Sequence, residues 1–197
     1  MAGDQLKRFD RWRKKLPENT EYLTSLVIDE VVPLFQERGF DRFADYAGGS
    51  TFAVGPNCIP LQRRSGSKWP TVEIAFDKRS RPGLGVNFAA LPEVCCRETE
   101  LGPTNIPRLE ASVVEGAAFF TLCMGQRSNF DCNFGYRGFV LRPKLRLDRE
   151  IAILKSLLPW LFSVLELGIP EAWYQGKPGY VDQYAFLSLG SRIFRAT

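Results

Sequence analysis

The chain has 197 residues, a formal net charge of +4, five cysteines and no histidine, and 45% of its residues are hydrophobic. The lack of histidine excludes Ser-His-Asp and Cys-His nucleophilic centres, imidazole general bases and histidine-containing metal sites. A chain of this length buries roughly 70% of its unfolded surface, and no apolar run approaches the roughly 20 residues that span a bilayer. We therefore expect a globular protein that needs no metal or cofactor and has no membrane partner.

The N-terminal segment differs from the rest of the chain in charge. The first 15 residues hold six basic and two acidic side chains, and the remaining residues hold 20 of each. We therefore divide the chain into a basic arm, residues 1–16, and a single domain, residues 17–197. Apolar residues recur in the arm at near-helical spacing, which predicts an amphipathic helix that ends at Pro17. This helix could pack Phe9 and Trp12 onto the domain, bind a partner or contact a membrane surface.

A second helix is predicted over residues 17–39. Pro17 suits a first-turn position, and the glutamates that follow it favour the positive end of the helix dipole. Apolar residues then repeat at intervals of three and four. Pro33 is expected to kink this helix, and Gly39 is expected to end it.

The period changes to two in the central part of the chain. Val72, Ile74 and Phe76 alternate with polar or small residues, which predicts a half-buried strand. Residues 83–88 are its expected hairpin partner after a turn at 77–82. The pattern therefore indicates an antiparallel sheet.

The second half of the central region predicts further strands. Residues 117–124 and 130–136 are the candidates, joined by a turn at 125–128. Phe139, Leu141 and Leu145 suggest one more alternating stretch. Residues 91–107 are rich in Pro, Gly and Glu, and we expect a long excursion there.

The C-terminal region contains the clearest helical pattern. Asp148 is a plausible N-cap, apolar residues follow at helical spacing, and Gly168 and Pro170 end the pattern. The tail beyond Glu171 is aromatic, and we expect it to pack back on the domain. The predicted fold class is α+β: an antiparallel sheet flanked by an N-terminal helical segment and a C-terminal helix, with helices on one face.

No residue pattern specifies a catalytic centre. Cys123 and Cys132 fall opposite each other if their hairpin is simple, and they are either buried small residues or a cross-strand pair. Glu73 and Asp77 lie roughly 13 Å apart on one strand face, too far for a shared acid–base pair, and a solvated face is the preferred interpretation. A hydrolase or nuclease that uses carboxylates alone, for example Asp45, Glu73, Asp77 and Asp131, stays open as an alternative.

Basic side chains fall into two groups. These could be solvated strand edges, a contact for an acidic protein, or a grip on a phosphate backbone with nearby aromatic rings. The first group is expected around one hairpin and comprises Arg63, Arg64, Lys68, Lys78, Arg79 and Arg81. The second comprises Arg137, Arg142, Lys144, Arg146 and Arg149.

Short motifs between residues 23 and 92 carry a family resemblance. They are 34–40 at the end of the second helix, Gln62 after 59–61, Phe76, Val86-Asn87-Phe88 and Leu91-Pro92. Together they resemble an uncharacterised bacterial family, number 4304 in the series of domains of unknown function. The resemblance implies an α+β fold without established catalytic residues. Small bacterial domains of this kind sometimes serve as immunity or accessory proteins in toxin systems, which is an analogy at the level of the fold.

The preferred hypothesis is a non-enzymatic, cytoplasmic protein-binding domain, in the narrower form an immunity protein that neutralises a toxin by binding it. The cytoplasm is expected because the cysteines are few and odd in number. The partner is expected to be another protein, and a nucleic-acid-binding accessory protein is the alternative. An inhibitor needs exposed aromatic and arginine anchors, and the candidate binding residues are Arg63, Arg64, Trp69, Trp173 and Tyr174.

Overall fold

A computed structural model describes residues 3–42, 55–91, 94–99, 102–107, 120–122, 134–136 and 138–167. The helices are α1 (Gly3–Arg13), α2 (Glu18–Leu26), α3 (Val32–Gln36) and α4 (Pro143–Leu167), with a π-helical turn, Val27–Val31, between α2 and α3. The strands are β1 (Asp41–Arg42), β2 (Cys58–Gln62), β3 (Trp69–Phe76), β4 (Gly83–Leu91), β5 (Val94–Thr99), β6 (Gly102–Pro107), β7 (Phe120–Leu122) and β8 (Phe134–Gly135).

The second predicted helix is confirmed, and Pro33 lies shortly after a π-helical turn within it. Pro17 is extended, with φ −60° and ψ 152°, and α2 starts at the next residue. Pro33 follows the π-helical turn. Because proline lacks an N–H and its ring crowds the carbonyl four residues earlier, a wider turn before it relieves the clash. Gly39 has a φ of +75°, and Phe40 N–H donates to the Phe35 carbonyl, so Gly39 stops the helix shortly after the last residue of α3, as predicted.

The central strands form an antiparallel sheet in the order β1-β2-β3-β4, and both β7 and β8 pair with β4. Val72 lies opposite Phe88, and Phe76 lies opposite Leu84. This register confirms the predicted strand and its hairpin partner. β5 and β6 pair only with each other among the described strands, so the expected excursion contains a separate hairpin.

The helices cover one face of this sheet. The buried core joins Val72, Ile74 and Phe88 of the strands to Leu23 of α2 and Leu154 of α4. Burial of such side chains is the main favourable term in folding, about 1.5–3 kcal/mol for each large one. The structure therefore confirms the predicted α+β class.

α1 belongs to this same core. Phe9 is fully buried, and its ring centroid lies 5.5 Å from that of Trp12 and 6.2 Å from that of Phe76. The Trp12 and Phe76 rings are 5.5 Å apart as well. Of the three interpretations of the basic arm, packing of Phe9 and Trp12 onto the domain is confirmed.

The region before α4 differs from the sequence prediction. Phe139 and Leu141 are not in a strand, and Leu145 lies inside α4. α4 begins at Pro143, so Asp148 is not its N-cap and instead accepts a hydrogen bond from the Tyr22 hydroxyl at 2.7 Å. Proline at the first helical position is favoured because the N–H it lacks would be unsatisfied there.

The other two predicted strands are described only in part. β7 lies within 117–124 and β8 within 130–136. The turn at 125–128 lies outside the described residues, as do Cys123 and Cys132 and the C-terminal tail.

Candidate interaction surfaces

The structure brings three of the predicted binding residues together at the β2–β3 hairpin. Residues 63–68 connect the two strands, and reciprocal backbone hydrogen bonds of 2.9 and 3.1 Å join Ser65 and Lys68. The Arg64 guanidinium lies 6.0 Å from the centroid of the half-buried Trp69 ring. Arg64 and Lys68 are exposed. This hairpin therefore presents a cationic side chain beside an aromatic ring.

Arg63 of the same hairpin is turned inward. Its side chain is only 18% exposed, and its guanidinium lies 5.0 Å from the centroid of the Phe40 ring. Nη1 donates to the Arg38 carbonyl at 3.2 Å and lies 3.9 Å from a carboxylate oxygen of Glu166. Arg63 thus joins the hairpin to the end of α3 and to the last turn of α4. The other two predicted binding residues, Trp173 and Tyr174, lie outside the described residues.

The first basic group is not one cluster. Arg63, Arg64 and Lys68 lie before β3, whereas the other three members lie in the turn after it, residues 77–82. β3 has eight residues, which span roughly 25 Å. The expectation of a single basic hairpin was therefore wrong, because the length of β3 separates the two turns.

The interpretation of Glu73 and Asp77 as a solvated strand face was also wrong. Glu73 is only 5% exposed and lies opposite Asn87 on the sheet face turned away from the helices. Asp77 Oδ2 accepts a 2.7 Å hydrogen bond from Arg81, and Oδ1 accepts one of 2.7 Å from the Arg79 N–H. Burial raises the pKa of Asp77, but these hydrogen bonds outweigh burial and hold the pKa below its ordinary value. Asp77 thus fixes its own turn.

The described residues provide no evident metal or nucleophile site. No group of three or more His, Cys, Asp or Glu side chains among them could hold a metal ion. Burial and then the charge of Glu73 raise the pKa of the Cys58 thiol well above its ordinary value, which makes the thiol a poor nucleophile. Asp45 and Asp131, two members of the carboxylate alternative, lie outside the described residues.

The segment between β8 and α4 carries two of the three most exposed large hydrophobic side chains of the described structure. We refer to residues 138–142 as the apolar loop. Phe139 is 88% exposed and Leu141 is 86% exposed. The loop is fixed at both ends, because Tyr136 N–H donates to the Pro82 carbonyl at 3.0 Å and Arg146 N–H donates to the Arg142 carbonyl at 3.0 Å.

Cations surround the apolar loop, and they divide into paired and unpaired side chains. Lys144 lies 2.8 Å from Glu18, and this hydrogen bond lowers the pKa of Glu18. Arg146 lies 2.5 Å from the buried Glu150. Arg142 and Arg149 are exposed and form no ion pair with any residue that the structure describes. Arg142, next to Leu141 in the loop, and Arg149, in the second turn of α4, therefore carry positive charge without an ionic partner among the described residues.

The sequence patterns missed the apolar loop. The alternation Phe139-Val140-Leu141 is typical of a strand, and it led to the wrong interpretation of these residues. Pro143 was the available signal, because a proline that opens a helix excludes an alternating stretch through Leu145.

Comparisons with models of known protein families, with curated proteins and with solved structures gave no match to this chain. Among the described helices, none is long and apolar enough to cross a membrane.

Proposed function

We propose that this chain is a protein-binding domain that contacts its partner through the apolar loop. The observation that carries the proposal is the exposure of Phe139 and Leu141, 88% and 86%. Burying a large hydrophobic side chain contributes about 1.5–3 kcal/mol, so a partner that covers both gains a substantial part of its affinity from two residues. Interface energy is commonly concentrated in a few such anchors.

The charges around the loop indicate the chemistry of the partner. Arg142 and Arg149 lie within ten residues of Phe139 and are exposed. A complementary surface has an apolar pocket for the two hydrophobic side chains and carboxylates around it. The Arg64 and Trp69 pair is a second candidate anchor, on the β2–β3 hairpin.

An immunity protein that masks a toxin is the narrower form of this proposal. Such an inhibitor needs only a complementary surface, which is compatible with a loop that carries hydrophobic and cationic anchors. Coexpression with the partner protein, once it is identified, tests this form. The wild-type chain should protect cells from the toxic partner, and a variant with an altered apolar loop should not. Protection by both proteins would contradict a role of the loop in masking.

Affinity capture with a matched control identifies the partner. The tagged wild-type chain, a Phe139→Ser and Leu141→Ser double variant, and a Leu167→Ser control are exposed to lysate of the native cells after nuclease treatment. Leu167 is 87% exposed at the other end of α4, so the control removes an exposed leucine without touching the loop. A stoichiometric protein that the wild type and the control retain, and the double variant loses, supports the proposal. Equal recovery by all three would contradict it.

A further inference from the structure

We propose a second binding surface, for the phosphodiester backbone of nucleic acid, on the outer side of α1 and on the turn between β3 and β4. It goes beyond the protein-binding function and shares no residue with the apolar loop. We refer to it as the cationic surface. Its members are six exposed side chains: Lys7, Arg11, Lys14, Lys15, Lys78 and Arg79.

The helical part of this surface follows from the way α1 packs. Phe9 and Trp12 face Phe76 and the core. Lys7 and Arg11, four residues apart, therefore lie on the opposite side, about 6 Å apart along the helix axis. Lys14 and Lys15 continue the row into the turn that follows α1.

Two contacts hold the β3–β4 turn close to α1 and to the start of α2. The rings of α1 contact Phe76, which directly precedes the turn. Thr20 Oγ1 donates a 2.6 Å hydrogen bond to the Ser80 carbonyl inside the turn. Lys15 is five residues before Thr20, and Lys78 and Arg79 directly precede Ser80. The turn that carries Lys78 and Arg79 is therefore held against the start of α2, five residues after Lys15.

Three carboxylates near this surface are paired with other cations. Glu21 lies 2.6 Å from Arg13, and Asp77 lies 2.7 Å from Arg81. Glu18, the other acidic residue of α2, is paired with Lys144 at 2.8 Å. None of the six members of the cationic surface forms an ion pair with a described residue, and Asp10 is the exposed carboxylate among the described side chains of α1. The six basic side chains therefore outnumber Asp10, and the net charge of the surface is positive.

A linear polyanion fits this arrangement better than a protein surface does. The cations form a row with a turn at its end, and the aromatic residues of α1 are directed to the core rather than outward. A nucleic acid presents regularly spaced phosphates along a strand, and contacts to phosphates bind without reading sequence. We therefore infer binding that depends on charge and not on base sequence.

Salt-dependent binding of a labelled duplex DNA tests this surface. Fluorescence anisotropy is measured with a mixed-sequence duplex of about 30 base pairs at about 50 and about 200 mM salt. If all six cations contact phosphates, the slope of log affinity against log salt is about −5, and affinity falls by about 10³ between the two conditions. The Lys14→Gln and Lys15→Gln double variant, and separately Lys78→Gln with Arg79→Gln, should each reduce the slope by about 2.

The matched control neutralises two exposed cations at the opposite end of β3, Arg64→Gln with Lys68→Gln, and should leave the slope unchanged. The Phe139→Ser and Leu141→Ser variant should keep its affinity for the duplex, so failure of this inference and failure of the proposed function are distinguishable. Three results would overturn the inference: no anisotropy change at low salt, an equal loss of slope in the control, or tighter binding of labelled poly-L-glutamate than of the duplex. The last would indicate an acidic protein partner instead.

Discussion

Arg63 of the β2–β3 hairpin lies 3.9 Å from the Glu166 carboxylate in the last turn of α4. The same guanidinium donates a hydrogen bond to the Arg38 carbonyl and lies 5.0 Å from the Phe40 ring centroid. Arg63 therefore connects three elements that are distant in sequence. Its neighbour Arg64 is exposed and lies near Trp69 alone among the described aromatic rings. The two adjacent arginines thus have different roles.

Neutral substitution of these arginines should separate the two roles. Arg63→Gln should lower the free energy of unfolding by about 1–2 kcal/mol, because a hydrogen bond and a ring contact are lost. The ion pair adds little, since Glu166 is half exposed. Arg64→Gln should stay within about 0.5 kcal/mol of wild type. Urea unfolding of both variants measures the difference. Equal stability of the two would show that the contacts of Arg63 do not stabilise the fold.

Gly135 should not tolerate a side chain. Its φ is +133°, and a Cβ at this position would lie 2.2 Å from the Pro82 carbonyl oxygen, which is backbone and cannot move aside cheaply. Gly135→Ala should therefore cost about 3 kcal/mol or more of stability, because β8 must separate from the start of β4.

The control for that substitution is Gly138→Ala, three residues further along. Gly138 has a φ of +78°, but nothing lies within 4 Å of a Cβ there. Only backbone strain remains, about 1 kcal/mol. Thermal unfolding of both variants gives the comparison. If Gly138→Ala were the more damaging change, the close approach of Gly135 to Pro82 would be refuted.

Asp77 should make stability depend on pH in the acid range. Its pKa in the folded protein lies below the ordinary value, although burial opposes this, because Arg81 and the Arg79 N–H donate to the carboxylate. The stabilisation is therefore complete above the unfolded pKa of about 3.9 and is lost as the pH falls through the lower folded pKa. Asp77→Asn should cost about 1 kcal/mol at neutral pH.

The same pairing predicts that the difference between wild type and Asp77→Asn shrinks as the solution is acidified. Chemical unfolding at neutral pH and near pH 3 measures it. A difference that grows on acidification would contradict a lowered pKa, since a raised folded pKa gives the opposite sign.

Local signals were sufficient for much of the fold. The alternation of Val72, Ile74 and Phe76 located β3, and Gly39 marked the end of the second helix. Burial of Glu73 could not be predicted in this way, because the alternation specifies which face a residue occupies and not whether that face is covered. The start of α4 was misplaced by six residues, since an N-cap at Asp148 makes Arg149 the first helical residue, whereas the helix begins at Pro143.

The candidate surfaces depended on contacts between distant parts of the chain. Sequence proximity placed Arg64 beside Trp69, but the inward orientation of Arg63 depends on the Arg38 carbonyl and the Phe40 ring, more than 20 residues earlier in the chain. The grouping of α1 with the β3–β4 turn depends on the packing of Phe9 against Phe76 and on the Thr20 hydrogen bond to Ser80. No local pattern contains such information.

The central claim is that the apolar loop binds a protein partner, and titration calorimetry with the purified captured partner tests it most directly. The wild-type chain, the Leu167→Ser control and the Phe139→Ser and Leu141→Ser double variant are compared at one salt concentration. Loss of two buried anchors, each contributing about 1–2 kcal/mol, predicts a Kd about 100-fold higher for the double variant and unchanged for the control. An unchanged Kd for the double variant, with its fold intact by circular dichroism, would contradict the claim.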